Sequence, residues 1–250
     1  MKQDMKQKLA ALGIACALVA GCGGGGGGGG SGGGGSGGGP EPQTTAEGIW
    51  DARPSASSFI KLVILENGDT WGLLMAEGLA GVVVAHTTSN AGQLSGQIFT
   101  GQGGSYVGSF VPKSSLRTTL LLPGFPSGAA FTASYDPRYD QAPAALSAIA
   151  GNYPGQGALP GAAVISPSGE VTVPAINGCG ASGSIQPRAS GKNIYDWTIT
   201  FQSAEGALCN RGNGATLQGI AIYDTTTPSL LVLASNSART DALLYSAPQQ

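Results

Sequence analysis

The chain of 250 residues contains one histidine, His86, at the end of the apolar run Val82-Val83-Val84-Ala85-His86. A serine hydrolase would need this residue as its base, yet no Gly-x-Ser-x-Gly elbow supplies a nucleophile. Strand alternation puts His86 on the face of Val82 and Val84, or at the strand's fraying end. Glycoside hydrolysis would need two carboxylates at a fixed separation with unequal pKa values. The available acids are scattered: Glu66, Asp69, Glu77, Glu170, Asp196, Asp224 and Asp241. Glu66, Asp69 and Glu170 flank predicted hairpin turns, where acids are ordinary solvated residues. No motif selects two of them. Neither His-Glu-x-x-His nor EF-hand spacing is present, so the chain is expected to be non-enzymatic, with no metal and no cofactor.

Two further groups carry chemistry of other kinds. Of four cysteines, Cys16 and Cys22 lie near the N-terminus, leaving Cys179 and Cys209 as a pair. In an exported protein such a pair most simply forms a disulfide. Two thiols without a neighbouring histidine are a poor zinc ligand set. The second group is polar. Pro187-Arg188-Ala189-Ser190-Gly191-Lys192-Asn193 and Asn236-Ser237-Ala238-Arg239-Thr240-Asp241 put Arg188, Lys192, Arg239 and Asp241 into two turns. Arg188 or Arg239 could pair with Asp241 or Asp196 and pin the end of a barrel. The other reading is a small anion-binding patch on one rim.

The elements that must position these residues read as β throughout. Ser58 to Glu66 is rich in apolar and β-branched residues and runs into Asn67-Gly68, a strong hairpin signal, before Asp69 to Leu74. Gly81–Thr87, Gly92–Thr100, Ser105–Val111, Leu116–Leu122 and Phe131–Tyr135 follow as short strands separated by turn residues. That rhythm argues for an antiparallel barrel or sandwich. It breaks at Asp136-Pro137-Arg138-Tyr139-Asp140, and Ala142 to Ala150 reads as a short helical segment. The β text then restarts. Gly151-Asn152-Tyr153 echoes Gly48-Ile49-Trp50, and the turn ending at Gly169-Glu170 echoes Gly68-Asp69. Strands are expected at 180–186, 193–202, 215–223, 230–234 and 242–245. The expected fold is all-β: two small antiparallel, barrel-like halves, residues 47–140 and 141–250, with a single β-sandwich as the alternative. Trp50, Trp71, Phe59 and Phe99, and then Tyr153, Trp197, Phe201 and Tyr223, are expected to fill the cores.

The first 21 residues have a basic front (Lys2, Lys6, Lys8), an apolar run from Leu9 to Ala20 and small residues beside a cut, the parts of an export signal. The run is too short to span a bilayer core, which needs about 20 residues. Val19-Ala20-Gly21-Cys22 resembles a bacterial lipobox, which implies a signal peptide ending at residue 21 and a lipid anchor (thioether-linked diacylglycerol plus an N-acyl chain such as palmitate) on Cys22. Several acyl chains give durable attachment where one would be marginal. Gly23 stands where an inner-membrane retention aspartate would be, which points to the outer membrane. Residues 22–46 are dominated by glycine and read as a flexible tether, with a root-mean-square reach of about 25–30 Å. A phosphate-cradling glycine loop would need a strand before it and a helix after it, and this tract has neither.

Charged residues make up 10% of the chain, against about 25% in ordinary domains. Loss of the signal would leave nine basic and thirteen acidic residues. With no basic stripe, nucleic-acid binding lacks its electrostatic requirement. Cys22 with its glycine tract, Glu66 to Gly72, Pro187 to Asn193 and Ala238 to Asp241 together resemble a group of uncharacterised proteobacterial lipoproteins. The lipidated cysteine, the glycines and the β-barrel modules also resemble, in organisation, surface lipoproteins of the transferrin-binding and factor H-binding type. The expected function is a lipid-anchored outer-membrane binding module with a protein or glycan partner, on the periplasmic or the cell-surface face. The alternatives are a periplasmic envelope-assembly or chaperone-like accessory, or an inhibitor of a cell-wall hydrolase.

Overall fold

The structure is a computed structural model and describes residues 45–76, 79–101, 103–123, 128–154, 159, 161–176, 179–203 and 209–250. The expected signal, Cys22, the glycine tract and Glu77 lie outside the described residues.

Strands β1 (Gly48–Ser55), β2 (Ser58–Ile64), β3 (Asp69–Ala76), β4 (Leu79–Asn90), β5 (Gln93–Ile98), β6 (Gly104–Val111), β7 (Ser115–Leu121) and β8 (Ala129–Asp136) pair antiparallel in sequence order. β1 then meets β8 through Ile49↔Asp136, Trp50↔Tyr135 and Asp51↔Ser134, closing a barrel. A 3-10 turn (Pro137–Asp140) and a single helical turn, α1 (Leu146–Ile149), lead to the second half. There β9 (Gly151–Tyr153), β10 (Ala163–Ile165), β11 (Glu170–Ile176), β12 (Cys179–Pro187), β13 (Tyr195–Ser203), β14 (Thr216–Asp224), β15 (Ser229–Ser235) and β16 (Ala242–Pro248) form another eight-stranded antiparallel sheet in sequence order. The chain is therefore all-β with two barrel-like sheets, as the turn spacing implied, and not a single sandwich.

The second sheet draws its edges together differently from the first. The Gln250 amide donates to the Asn152 carbonyl at 2.9 Å, and Gln249 Nε2 donates to the carbonyls of Ala148 and Ala150 at 3.0 and 2.8 Å. The Tyr245 hydroxyl lies 2.9 Å from the Tyr153 carbonyl and 3.0 Å from that of Pro154. Side chains thus satisfy backbone groups that an edge would leave exposed.

The echo between the halves has a local physical counterpart. Gly68 and Gly169 both have φ +84°, in the left-handed region that a side chain disfavours. Each amide donates to the residue three back, Leu65 or Ser166, at 2.9 Å. Each carbonyl accepts from the second strand along, from the Thr87 amide at 2.7 Å or the Ile185 amide at 2.8 Å. Trp50 Nε1 donates to Ala46 O and the Tyr153 hydroxyl donates to Ile149 O, four residues back in both cases.

Three apolar layers result. Trp50, Leu62, Leu116 and Phe131 fill the first barrel, and Tyr153, Trp197, Phe201 and Tyr245 fill the second. The third layer lies between them and includes Val63, Leu65, Tyr139, Ile194, Ile220 and Leu233. β2 and β15 serve two layers at once. Ile60, Leu62 and Ile64 point into the first barrel while Val63 faces the shared layer. Leu230 and Val232 point into the second while Leu233 faces the shared layer. Burial on both faces accounts for the near-continuous apolar text of these strands. The expected disulfide forms: Cys179 and Cys209 are bonded, with Cα atoms 4.6 Å apart. Three of the aromatics expected in the first core lie elsewhere: Phe59 and Trp71 are half-buried outside the barrel against the shared layer, and Phe99 is 40% exposed on the outer wall.

Candidate functional site

Beside the shared apolar layer, the two barrels leave a cleft of about 430 Å³. Asp69, Trp71 and Val84 line it from the first barrel, and Arg188, Asp196 and Arg239 from the second. The positions follow from local structure. Asn67 accepts from the Asp69 amide at 3.0 Å and donates to its carboxylate at 2.9 Å, fixing Asp69 at the head of β3. Asp69 pairs in register with His86, which brings His86 Nδ1 to 3.6 Å from Asp69 Oδ1. His86 is exposed on the outer wall and lines a neighbouring hollow of about 420 Å³ together with Phe99, Gln97 and Arg239. No hydroxyl among the described residues is hydrogen-bonded to it.

Arg188 enters the cleft from the end of β12. Its Nε donates to Glu66 Oε1 at 2.9 Å and its Nη1 to Asp196 Oδ1 at 2.5 Å. Burial works against its charge, but the two carboxylates outweigh that and raise its pKa above the ordinary arginine value. Its partners were only half legible. Asp196 was anticipated as one, whereas Glu66 comes from the other barrel. Arg239 occupies the β15–β16 turn with φ +59°. Its guanidinium lies 3.9 Å from the centroid of Phe99, a cation–π contact across the junction. Among the described residues it has no ion-pair partner.

The four polar residues singled out in the sequence do not form one cluster. Arg188 and Arg239 share the cleft. Lys192 instead donates to Asp140 at 2.8 Å and lies 5.5 Å from the Tyr139 ring centroid. Asp241 pairs with Arg211 at 2.6 Å, and not with Arg188 or Arg239. The turn carrying Arg239 and Asp241 explains the split. Asn236 Oδ1 accepts from the Thr240 amide at 2.9 Å, and the left-handed Arg239 turns outward while Asp241 returns toward Arg211.

Sequence reasoning missed a second electrostatic junction. Arg138, in the 3-10 turn, donates to both oxygens of Asp136 and reaches Asp224 of β14 at 2.5 Å. Hydrogen bonds to Asp136 raise the Arg138 pKa further than burial lowers it, with Asp224 adding to the rise. Burial pushes the Asp136 carboxyl up, but Arg138 more than reverses this and holds it below the usual range. Nearby, Asp140 receives Lys113, Lys192 and the Tyr135 hydroxyl at 2.8, 2.8 and 2.9 Å. Against the opposing effect of burial, these donors bring its pKa down to about 2. The only sequence signal was the break in rhythm at residues 136–140.

The arrangement supplies donors, a cation on an aromatic face and a rigid frame, the components of recognition. Among the described residues, no three of His, Cys, Asp and Glu gather to hold a metal ion. Compared with protein-family models, with curated proteins and with solved structures, the chain matches none.

Proposed function

We propose that this protein is a lipid-anchored, non-enzymatic binding module of the bacterial outer membrane. Acylated Cys22 holds it to the membrane, the glycine tract acts as a leash, and the paired barrels present the inter-barrel cleft to a protein or glycan partner. The observation that carries this reading is Arg239. It stands between two adjoining hollows with its charge in no ion pair among the described residues, on a frame held by a shared apolar layer. Strongly perturbed acids and bases gathered in one cleft, the usual mark of catalysis, do not occur here: among the described residues, the shifted carboxylates sit in the ion-paired junctions at Asp136, Asp140 and Asp224.

Two measurements test it together. Cells fed labelled palmitate should label the wild-type protein and not a Cys22→Ser variant. Equal labelling of the two would remove the anchor. A photo-crosslinking residue at Ser237 in the cleft, or at Gln97 in the adjoining hollow that shares Arg239, should give a discrete adduct in intact cells that a probe at the distant Glu170 does not. The same adducts at all three positions would remove the cleft. Protease shaving of intact and lysed cells then says on which face to look for the partner.

A further inference from the structure

The chain carries nine lysines and arginines beyond residue 45. Six of them are in ion pairs: Lys61, Lys113, Arg138, Arg188, Lys192 and Arg211. Three are not, among the described residues. Arg239 is one, and the other two, Arg53 and Arg117, border the same hollow in the outer wall of the first barrel. It measures about 1070 Å³, and among the described residues no acid lines it. In a chain with more acids than bases, two cations at one hollow leave a local positive field that no acid among the described residues pairs with.

Register explains how they come together. Arg117 on β7 lies opposite Thr132 on β8. β8 also pairs with β1, through a ladder whose last pair is Asp51↔Ser134, and Arg53 follows two residues further along β1. Arg53 on β1 and Arg117 on β7 therefore come from the strands on either side of β8, and both border the hollow that Thr132 of β8 lines. The outward positions around them are mostly short, Ser109 opposite Arg117 on β6, Thr119 on β7, and Ala130 and Thr132 on β8, so the wall forms a trough. Its nearest carboxylate along β1, Asp51, is already committed to Lys61 at 2.6 Å. The Arg53 guanidinium rests 5.2 Å from the Phe59 centroid, a contact that leaves its N–H donors uncommitted.

We infer that this trough is a binding site for an acidic polysaccharide, a glycan chain bearing sulfate, phosphate or carboxylate groups. The arginines would meet two of its anionic groups with charge-assisted, forked hydrogen bonds. The hydroxyls of Ser109, Thr119 and Thr132 would meet sugar hydroxyls along the floor. Concavity favours a chain over a membrane surface, because a bilayer is too flat to follow a trough floored by short side chains. The inference goes beyond the binding-module reading in both site and ligand, and it stands without the inter-barrel cleft.

The test uses the full-length protein in detergent micelles and a fluorescent sulfated oligosaccharide of the heparin type, with its desulfated counterpart, followed by anisotropy. The sulfated probe binds and the desulfated one does not. Affinity falls about tenfold or more in an R53S/R117S variant, and its dependence on salt becomes shallower. Loss of affinity in R53S/R117S carries this inference, whereas loss in R239S, with R53S/R117S binding as wild type does, assigns the probe to the inter-barrel cleft and overturns it, so the two readings are separable. Both arginines are exposed and in no ion pair among the described residues, so an unaltered melting temperature in R53S/R117S verifies that the fold is intact. Equal binding of the desulfated probe, or an R53S/R117S variant that binds as wild type does, overturns the inference. Stronger binding to vesicles of phosphatidylglycerol, lost in the same variant, also overturns it, in favour of a lipid surface.

Discussion

Arg188 and Glu66, 122 residues apart in sequence, meet at 2.9 Å across the junction between the two barrels. The same guanidinium is held on its own side by Asp196. Arg188 therefore fixes one barrel against the other while shaping the wall of the cleft. Replacing it with alanine should lower the melting temperature by several degrees, since about 1 kcal/mol corresponds to about 2–4 °C in a domain of this size. A double-mutant cycle with Glu66→Gln isolates the cross-junction share. Glu66 is exposed, and the coupling is expected at no more than about 1 kcal/mol. A zero coupling would mean that the apolar layer alone sets the packing of the barrels.

Asp140 makes stability depend on acid. Its carboxyl titrates at about 2 when folded, against 3.8 for the free group. A lowered pKa stabilises the fold above the unfolded value, and this contribution is lost as pH falls through the folded one. The loss should therefore develop between about pH 4 and pH 2. Asp136 and Asp224, also lowered, act in the same direction. Denaturant titrations of wild type and Asp140→Asn should diverge at neutral pH and converge toward pH 2. A constant gap across that range would show that Asp140 contributes shape and not charge.

The Cys179–Cys209 bond closes a separation of 30 residues. In the chain-entropy model, its reduction should cost about 3–4 kcal/mol. Thermal melts with and without reductant measure this directly. A Cys179→Ser/Cys209→Ser variant should melt with the reduced wild type and be insensitive to reductant. Lowered stability in the reduced wild type alone would indicate a reductant effect unrelated to this bond.

The shared layer gives two substitutions opposite expectations. Ile220 is 2% exposed there, and Ile220→Ala should destabilise by about 2–5 kcal/mol through lost burial and a residual cavity. Tyr139 is fully buried in the same layer, and its hydroxyl has no hydrogen-bond partner among the described residues. Tyr139→Phe removes an unsatisfied polar group without changing ring packing, so it should be neutral or stabilising. A loss above about 1 kcal/mol in Tyr139→Phe would mean that the hydroxyl is in fact satisfied in solution, for example by water.

What the sequence alone determined is local. Asn67-Gly68 and Ser168-Gly169 mark their hairpins because glycine reaches the left-handed turn that ends them. The alternation in β5, Leu94 and Ile98 inward with Gln93 and Ser95 outward, needs nothing beyond the pleat. The disulfide was legible because elimination left two cysteines to pair. The tertiary structure decided whatever depends on elements distant in the chain. Whether an apolar run such as Ser58–Ile64 is covered on one face or two depends on what packs outside the barrel, and the pleat does not encode that. Which acid each arginine meets depends on how loops approach after the strands have paired. Arg211 takes Asp241 and Arg188 takes Glu66, because ion pairs are short-ranged contacts with no sequence period to announce them. Arg53 and Arg117 come together for the same reason. They stand 64 positions apart in the chain, and closure of β1 onto β8 brings both to one hollow.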